Sequence, residues 1–214
     1  LRAFVFTSHS PHECLSGYAS ILPEDHLIAV DGGLAKLDEL GLTPHIIIGD
    51  MDSVSPQLLE KYHHIPRLSY ASEKNETDTE LALNWCMEQE CYQEIMILND
   101  LQGRFDHCLG LVQNLLLLKK QKPDIDARIE SRNEQLFILN HSTRITGKKG
   151  ALLSLIALSE MAYTWTYFGL KYSLKDLKLY PHLSRGISNE ITDDNAVICV
   201  NSGYILAVLT MPTT

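Results

Sequence analysis

The 214-residue sequence predicts an α/β N-terminal domain with a mainly parallel, three-layer, Rossmann-like sheet, followed by an all-β sandwich domain. Two observations predict it. From residue 1 to about 125, short apolar runs alternate with longer segments of helical period, the pattern of a parallel sheet carrying helices on its faces. After Pro123 long helical patterns disappear, and short strand-like runs broken by Gly, Asn, Ser and Lys follow one another, as in a sandwich. The expected domains are 1–125 and 126–214.

The elements follow in order. "AFVFT" is a first strand, leading into the loop "SHSPHECLSGY", where His9 and His12 read as surface histidines. "HLIAV" is a second strand; Asp31-Gly32-Gly33 ends it and "LAKLDEL" follows at helix spacing. Ile46, Ile47 and Ile48 read as a strand buried on both faces, leaving through Gly49 and the acid pair Asp50-x-Asp52. Ser53 or Ser55 caps a helix that begins at Pro56. "TDTELALNWCMEQ" is a helix capped by Thr77 or Asp78, with a stripe around Leu81, Leu83, Trp85 and Met87. "EIMIL" is a strand ending at Asn99-Asp100, and "DHCLGLVQNLLLLKK" is a long helix. "ARIES", "QLFILN", "STRITG", "ALLSLIALS", "AYTWTYFGL", "AVICVNSG" and "YILAVLTM" are the strands of the second domain. In "AYTWTYFGL", Trp165 and Tyr167 alternate with small residues, as a half-buried strand requires; they fill the sandwich core, face a partner or stack on a ligand ring.

Composition narrows the function classes. Hydrophobic residues at 45% and charged residues at 21% are ordinary for a globular chain, so disorder is not expected. A net charge of -9 argues against a general grip on nucleic-acid phosphates. The longest apolar run, "LGLVQNLLLLKK", is too short and too polar to span a bilayer, and the N-terminus lacks a signal-type start. No nucleic-acid or membrane partner is therefore expected, and the expected compartment is the cytoplasm. Cys14, Cys86, Cys91, Cys108 and Cys199 are odd in number and lack a Cys-x-x-Cys pair, which argues for reduced thiols.

Acids gather at the strand ends, where ligands of open α/β sheets bind. Asp31, Asp50 with Asp52, and Asp100 follow three strands, and Asp78 stands at a helix start. Each alone is equally a turn or cap residue. The pair is different: side chains two apart on a strand point the same way, and two carboxylates aimed into one crevice repel unless a cation lies between them. All-oxygen ligands suit Mg2+, which shares its shell with water and substrate phosphates. "QGRFDH" adds Arg104, whose planar fork can clamp phosphate, beside Asp106, a ligand, base or cap, and His107, an acid, a base or a packed ring. "TGKKG" is not a Walker loop, and no Gly-x-Gly-x-x-Gly follows the first strand. Asp-x-His with Gly-Asn-His and Gly-x-Ser-x-Gly are also missing, which disfavours binuclear phosphatases and serine hydrolases.

Taken in order, "DGG" (31–33), "GLTPHIIIGDMDSV" (41–54), "EKNETDTELAL" (73–83), "GRFDH" (103–107), "GLKYSL" (169–174) and "GISNE" (186–190) resemble the thiamine pyrophosphokinase family. The resemblance implies a homodimer with active sites shared between subunits, and transfer of the β,γ-diphosphate of ATP to the hydroxyl of thiamine, giving thiamine diphosphate and AMP with Mg2+. It implies that Asp50, Asp52 and Asp78 hold Mg2+ and that Asp31 lines the same pocket. Lys74, Thr77, Arg104 and Asp106 would contact nucleotide or phosphates, and Ser188 and Asn189 would recognise thiamine. Asp106 and Asp78 are both open as acceptors of the alcohol proton. This chain departs from the family pattern at Asn75, where an acid is common, at Gln102, where a glycine is usual, and after the first strand, where a glycine pair is often found. A metal-dependent phosphohydrolase acting on nucleotides or thiamine phosphates would use the same acids and is the alternative.

Overall fold

The computed structural model describes residues 1–11, 21–166 and 168–212; His12, Cys14 and Tyr167 lie outside the described residues. The chain forms two compact units, Leu1–Arg132 and Asn133–Thr214.

In the first unit six strands lie in the order β6-β5-β1-β2-β3-β4, every neighbouring pair parallel: β1 (Arg2–Phe6), β2 (His26–Val30), β3 (Ile46–Gly49), β4 (Arg67–Ser69), β5 (Glu94–Leu98) and β6 (Asp126–Glu130). The order runs outward from β1 in both directions, so the winding reverses between β1 and β5 and opens a crevice beyond their carboxyl ends. Among the described residues, helices α1 (Gly33–Glu39), α2 (Pro56–Lys61), α3 (Asp78–Glu88) and α4 (Phe105–Gln121) connect the strands. Helix α1 packs on β1 and β2, α3 on β2, β3 and α4, and α4 also on β6.

The isoleucine run behaves as its composition dictates. Ile47 joins Phe4, Phe6, Leu34, Leu37, Met96 and Leu98 in one core cluster, while Ile46 and Ile48, turned the other way by strand alternation, are buried as well. Each fully buried side chain of this size contributes about 1.5–3 kcal/mol. Of the two serines open as caps, Ser55 takes the role, its Oγ accepting the Leu58 N–H at 3.3 Å with Pro56 at the first helical position. Thr77 caps α3 by accepting the Glu80 N–H at 3.2 Å.

The second unit holds two antiparallel sheets around a shared core. One contains β12 (Asn189–Glu190), β9 (Leu152–Ala157), β14 (Ile205–Thr210) and β7 (Glu134–Leu139) in that order. The other contains β11 (Leu177–Leu179), β10 (Ala162–Thr166), β13 (Asn195–Ser202) and β8 (Thr143–Thr146). Leu153, Leu155, Ile205, Ala207 and Leu209 from the first sheet meet Ile145, Ala162, Leu179, Ala196 and Ile198 from the second.

Two details differ from the sequence reading. "ARIES" belongs to the first unit, because β6 pairs in parallel with β5 from Glu94↔Asp126 to Leu98↔Glu130. Helical period stops near residue 125, and period does not reveal which sheet a strand joins. The short strands β4, β11 and β12 escaped notice because two or three residues carry too little alternation to detect. Among the described residues Cys86, Cys91, Cys108 and Cys199 are free thiols, and no helix is long and apolar enough to cross a membrane.

Candidate active site

The site is assembled from two strand ends and one helix start. Asp31 follows β2, Asp50 follows β3, and Asp78 is the first residue of α3, which packs across those two strands. One carboxylate oxygen from each of the three lies within 4.8 Å of the others. Gly49 makes this approach possible: a Cβ there would stand 1.8 Å from Asp31 Oδ1, so any other residue displaces the carboxylate. Gly33 serves the preceding turn, since its Cβ would stand 1.9 Å from the Phe6 carbonyl oxygen.

Asp52 is not part of this trio. The chain has left the strand after Gly49, and Met51 takes a left-handed conformation (φ 64°), so the two-residue alternation that would align Asp50 with Asp52 does not operate. The Asp52 N–H instead donates to Asp50 Oδ1 at 3.1 Å, while the Asp52 side chain is exposed. The third acid is Asp31, the strand-end residue of the Asp-Gly-Gly turn; it too is left-handed (φ 44°), with its Oδ1 accepting the Met51 N–H at 3.2 Å.

Electrostatics separate the three acids. Burial, reinforced by contact with Asp78 and the nearby Asp50 charge, pushes the Asp31 carboxyl up to about 7. The Asp52 N–H, together with the Ser72 hydroxyl and the Lys74 ammonium, holds Asp50 below the ordinary carboxylate range. Lys74 Nζ lies 2.6 Å from Asp78 Oδ1 and 3.9 Å from Asp50 Oδ2. That Asp78 oxygen is buried, with the Lys74 ammonium as its ion-pair partner. Oxygens on one octahedral ion with bonds of about 2.1 Å stand roughly 3–4 Å apart, so the trio needs only slight contraction to surround one. A clustered, all-oxygen, under-satisfied donor set fits a hard divalent cation.

The remaining sequence candidates lie elsewhere. Arg104 closes a two-pronged ion pair on Asp106, Nε to Oδ1 at 3.1 Å and Nη2 to Oδ2 at 2.5 Å, at the exposed start of α4. The guanidinium holds the Asp106 carboxyl below its usual range, and the His107 N–H donates to the same carboxylate at 3.0 Å. Thr77 acts as the α3 cap and also lies 3.5 Å from Asn114 Nδ2 of α4. Asp100 turns toward the Arg132 N–H, which donates to its Oδ1 at 2.9 Å. Ser188 and Asn189 belong to the second unit. Asn189 is buried, its Oδ1 accepting the Tyr172 N–H at 3.0 Å and its Nδ2 donating to the Tyr172 carbonyl at 2.8 Å. Ser188 is exposed and left-handed (φ 58°), its N–H donating to Ser154 Oγ at 3.0 Å.

A polar knot that no local sequence pattern marks lies at the β1/β5 switch. Thr7 Oγ1 and Ser10 Oγ both donate to the Leu98 carbonyl at 2.8 Å, Asn99 Nδ2 donates to Thr7 Oγ1 at 2.8 Å, and the Asp100 N–H donates to the His9 carbonyl at 2.8 Å. Gly103 (φ 91°) comes so near His9 that a Cβ would lie 3.1 Å from its Nε2. The only signal was polar residues at two strand ends, Thr7 and Asn99, far apart in the chain.

Two family models match the chain, the catalytic domain of thiamin pyrophosphokinase over residues 21–127 and its vitamin B1 binding domain over residues 139–205. The thiamine pyrophosphokinase of Bacillus subtilis (strain 168) is 30% identical over 200 residues, 91% of this chain and 90% of that protein. The chain belongs to the thiamin pyrophosphokinase family. A more distant member, thiamin pyrophosphokinase 1 of Caenorhabditis elegans, is 27% identical over 199 residues, 85% of this chain and 77% of that protein. The fold agrees: the crystal structure of thiamine pyrophosphokinase from Bacillus subtilis superposes with a TM-score of 0.86 over all of both chains at 22% identity. Within the catalytic-domain match fall Asp31, Asp50, Lys74 and Asp78, the four residues the fold draws together.

Proposed function

We propose that this chain transfers the β,γ-diphosphate of ATP to the hydroxyl of thiamine, giving thiamine diphosphate and AMP. The observation that carries the reading is the Asp31-Asp50-Asp78 trio with its attendant lysine, at two strand ends and a helix start, in a chain of this family. On this reading the first unit is a three-layer, Rossmann-like catalytic domain that binds nucleotide and metal. The second is the thiamine-binding and dimerisation domain, and two chains share each active site in the cytoplasm.

Asp31, Asp50 and Asp78 would hold Mg2+, which when bound neutralises charge on the transferring diphosphate. Asp52 keeps Asp50 oriented through its backbone N–H. Lys74 and Arg104 supply mobile positive charge for phosphate oxygens, Arg104 by exchanging Asp106 for phosphate at the α4 start. Thr77, as the cap of α3, fixes where Asp78 emerges. Diphosphoryl transfer asks for alignment and electrostatic stabilisation more than for covalent help, which this arrangement provides. Exposed Ser188 is the side chain of the thiamine pair free to meet substrate, with Asn189 shaping the loop beside it.

The test is a coupled assay with ATP, Mg2+ and thiamine, following AMP and thiamine diphosphate together in the wild type and in Asp50→Asn. Equal amounts of both products, lost by at least about a hundredfold in the variant, support the transfer. AMP or ADP formed without thiamine diphosphate sinks it.

A further inference from the structure

We propose that Lys74 is a resident counterion of the acid trio, standing against the oxygen that a divalent cation takes and withdrawing when that cation arrives. The inference rests on the reading that Asp31, Asp50 and Asp78 hold a metal. Lys74 touches two of those three carboxylates, at 2.6 Å and 3.9 Å. Its side chain is 13% exposed, against 61% for Lys61 and 53% for Lys171, which also carry acid partners. Lysines ordinarily keep the ammonium in water; this one is drawn inward by a cluster that lacks another cation among the described residues.

Repulsion explains why. Carboxylates this close in a partly buried site repel one another, so the cluster needs a positive charge among them. One ammonium supplies a single charge among three carboxylates, close to Asp78 at 2.6 Å and more distant from Asp50 at 3.9 Å. A divalent ion supplies twice the charge at shorter range. The two compete for Asp78 Oδ1: an ion bonded to it at about 2.1 Å and an ammonium at hydrogen-bond distance from it repel as like charges. That repulsion drives Lys74 outward as the metal enters. Its stem is flexible, and its ammonium is a compact charge suited to phosphate oxygens. A nucleotide arriving with the metal offers the released ammonium a new partner. Without nucleotide, Lys74 opposes the metal; with nucleotide, the exchange favours both ligands, and the coupling is reciprocal.

The experiment measures Mn2+ binding to the full chain by the paramagnetic signal of the free ion, with and without a non-hydrolysable ATP analogue. Wild type, Lys74→Met, Lys74→Arg and Asp50→Asn are compared, each checked for folding by circular dichroism. Without nucleotide, Lys74→Met should bind Mn2+ about tenfold or more tighter than wild type, and Lys74→Arg should stay near it. The enhancement of Mn2+ binding by the analogue should shrink in Lys74→Met. Equal or weaker binding in Lys74→Met, with binding lost in Asp50→Asn, overturns the counterion role while leaving the metal site standing. No Mn2+ binding to either wild type or Lys74→Met removes the metal reading and this inference together. Should the methionine variant not fold, Lys74→Gln carries the same comparison.

Discussion

Asn189 shows, at the scale of one residue, a motif position that carries a structural task of its own. The sequence marks it beside Ser188, yet its amide is engaged with both backbone groups of Tyr172. Asn189→Ala should lower stability by about 1–3 kcal/mol in a denaturant titration, because the bonds from the buried Asn189 amide to the partly buried Tyr172 backbone are lost. Ser188→Ala should leave stability within about 0.5 kcal/mol and raise the KM for thiamine. Asp50 and Asp78 are each legible only as a turn or cap residue when taken alone, and it is their shared place at the carboxyl edge of an open sheet that singles them out; the alignment of Asp52 with Asp50 rests on an alternation that Met51 interrupts. Backbone sign of φ is not written in a methionine, so no pattern argument would have found it. Gly49→Ala, by contrast, is predictable from geometry: the new Cβ collides with Asp31, and activity should fall by about a hundredfold or more with the fold retained by circular dichroism.

Among elements, the starts of β2 and β3 are coupled by a histidine. The Leu27 N–H donates to His45 Nδ1 at 3.0 Å, and the His45 ring stacks on His26 at 4.7 Å between centroids. Burial, with the His26 charge behind it, pushes the His45 pKa below its ordinary value. A histidine whose folded pKa is depressed binds fewer protons folded than unfolded, so its contribution is whole above about 6.5 and declines as pH falls toward the folded value. Denaturant midpoints should drop between neutral and acid pH, and the drop should be smaller in His45→Gln. A midpoint profile unchanged by the substitution would refute this. The strands themselves were readable from runs such as "HLIAV" and "EIMIL", since burial on both faces demands unbroken apolar residues. Edge strand β4, "RLS", was not, because an edge of three half-exposed residues needs no such run.

For the whole molecule, an excess of acids and an acid trio make the same prediction. With net charge -9 the protein attracts cations generally, but only a specific site gives saturable stabilisation. Mg2+ should raise the thermal midpoint of the wild type, by the equivalent of about 2.7 kcal/mol at a hundred times its dissociation constant, and a chelator should reverse it. Asp50→Asn should remove the saturable part and keep the general salt response. The division into a parallel α/β unit and a β sandwich was visible in the change of period near Pro123; the boundary at Arg132 was not, because β6 is assigned by its partner rather than by its own residues.

The left-handed residues Asp31, Met51 and Leu101, at φ 44°, 64° and 55°, all stand just beyond strands of the parallel sheet. Non-glycine residues in that region each carry strain of about 1–3 kcal/mol, relieved by glycine. Selection for heat resistance alone should therefore favour glycine at Leu101 and Met51. Such variants would survive warming better while the loops bearing the acids wander, so a thermostability campaign on this enzyme should screen turnover alongside melting and treat the carboxyl edge of the sheet as ground to leave untouched.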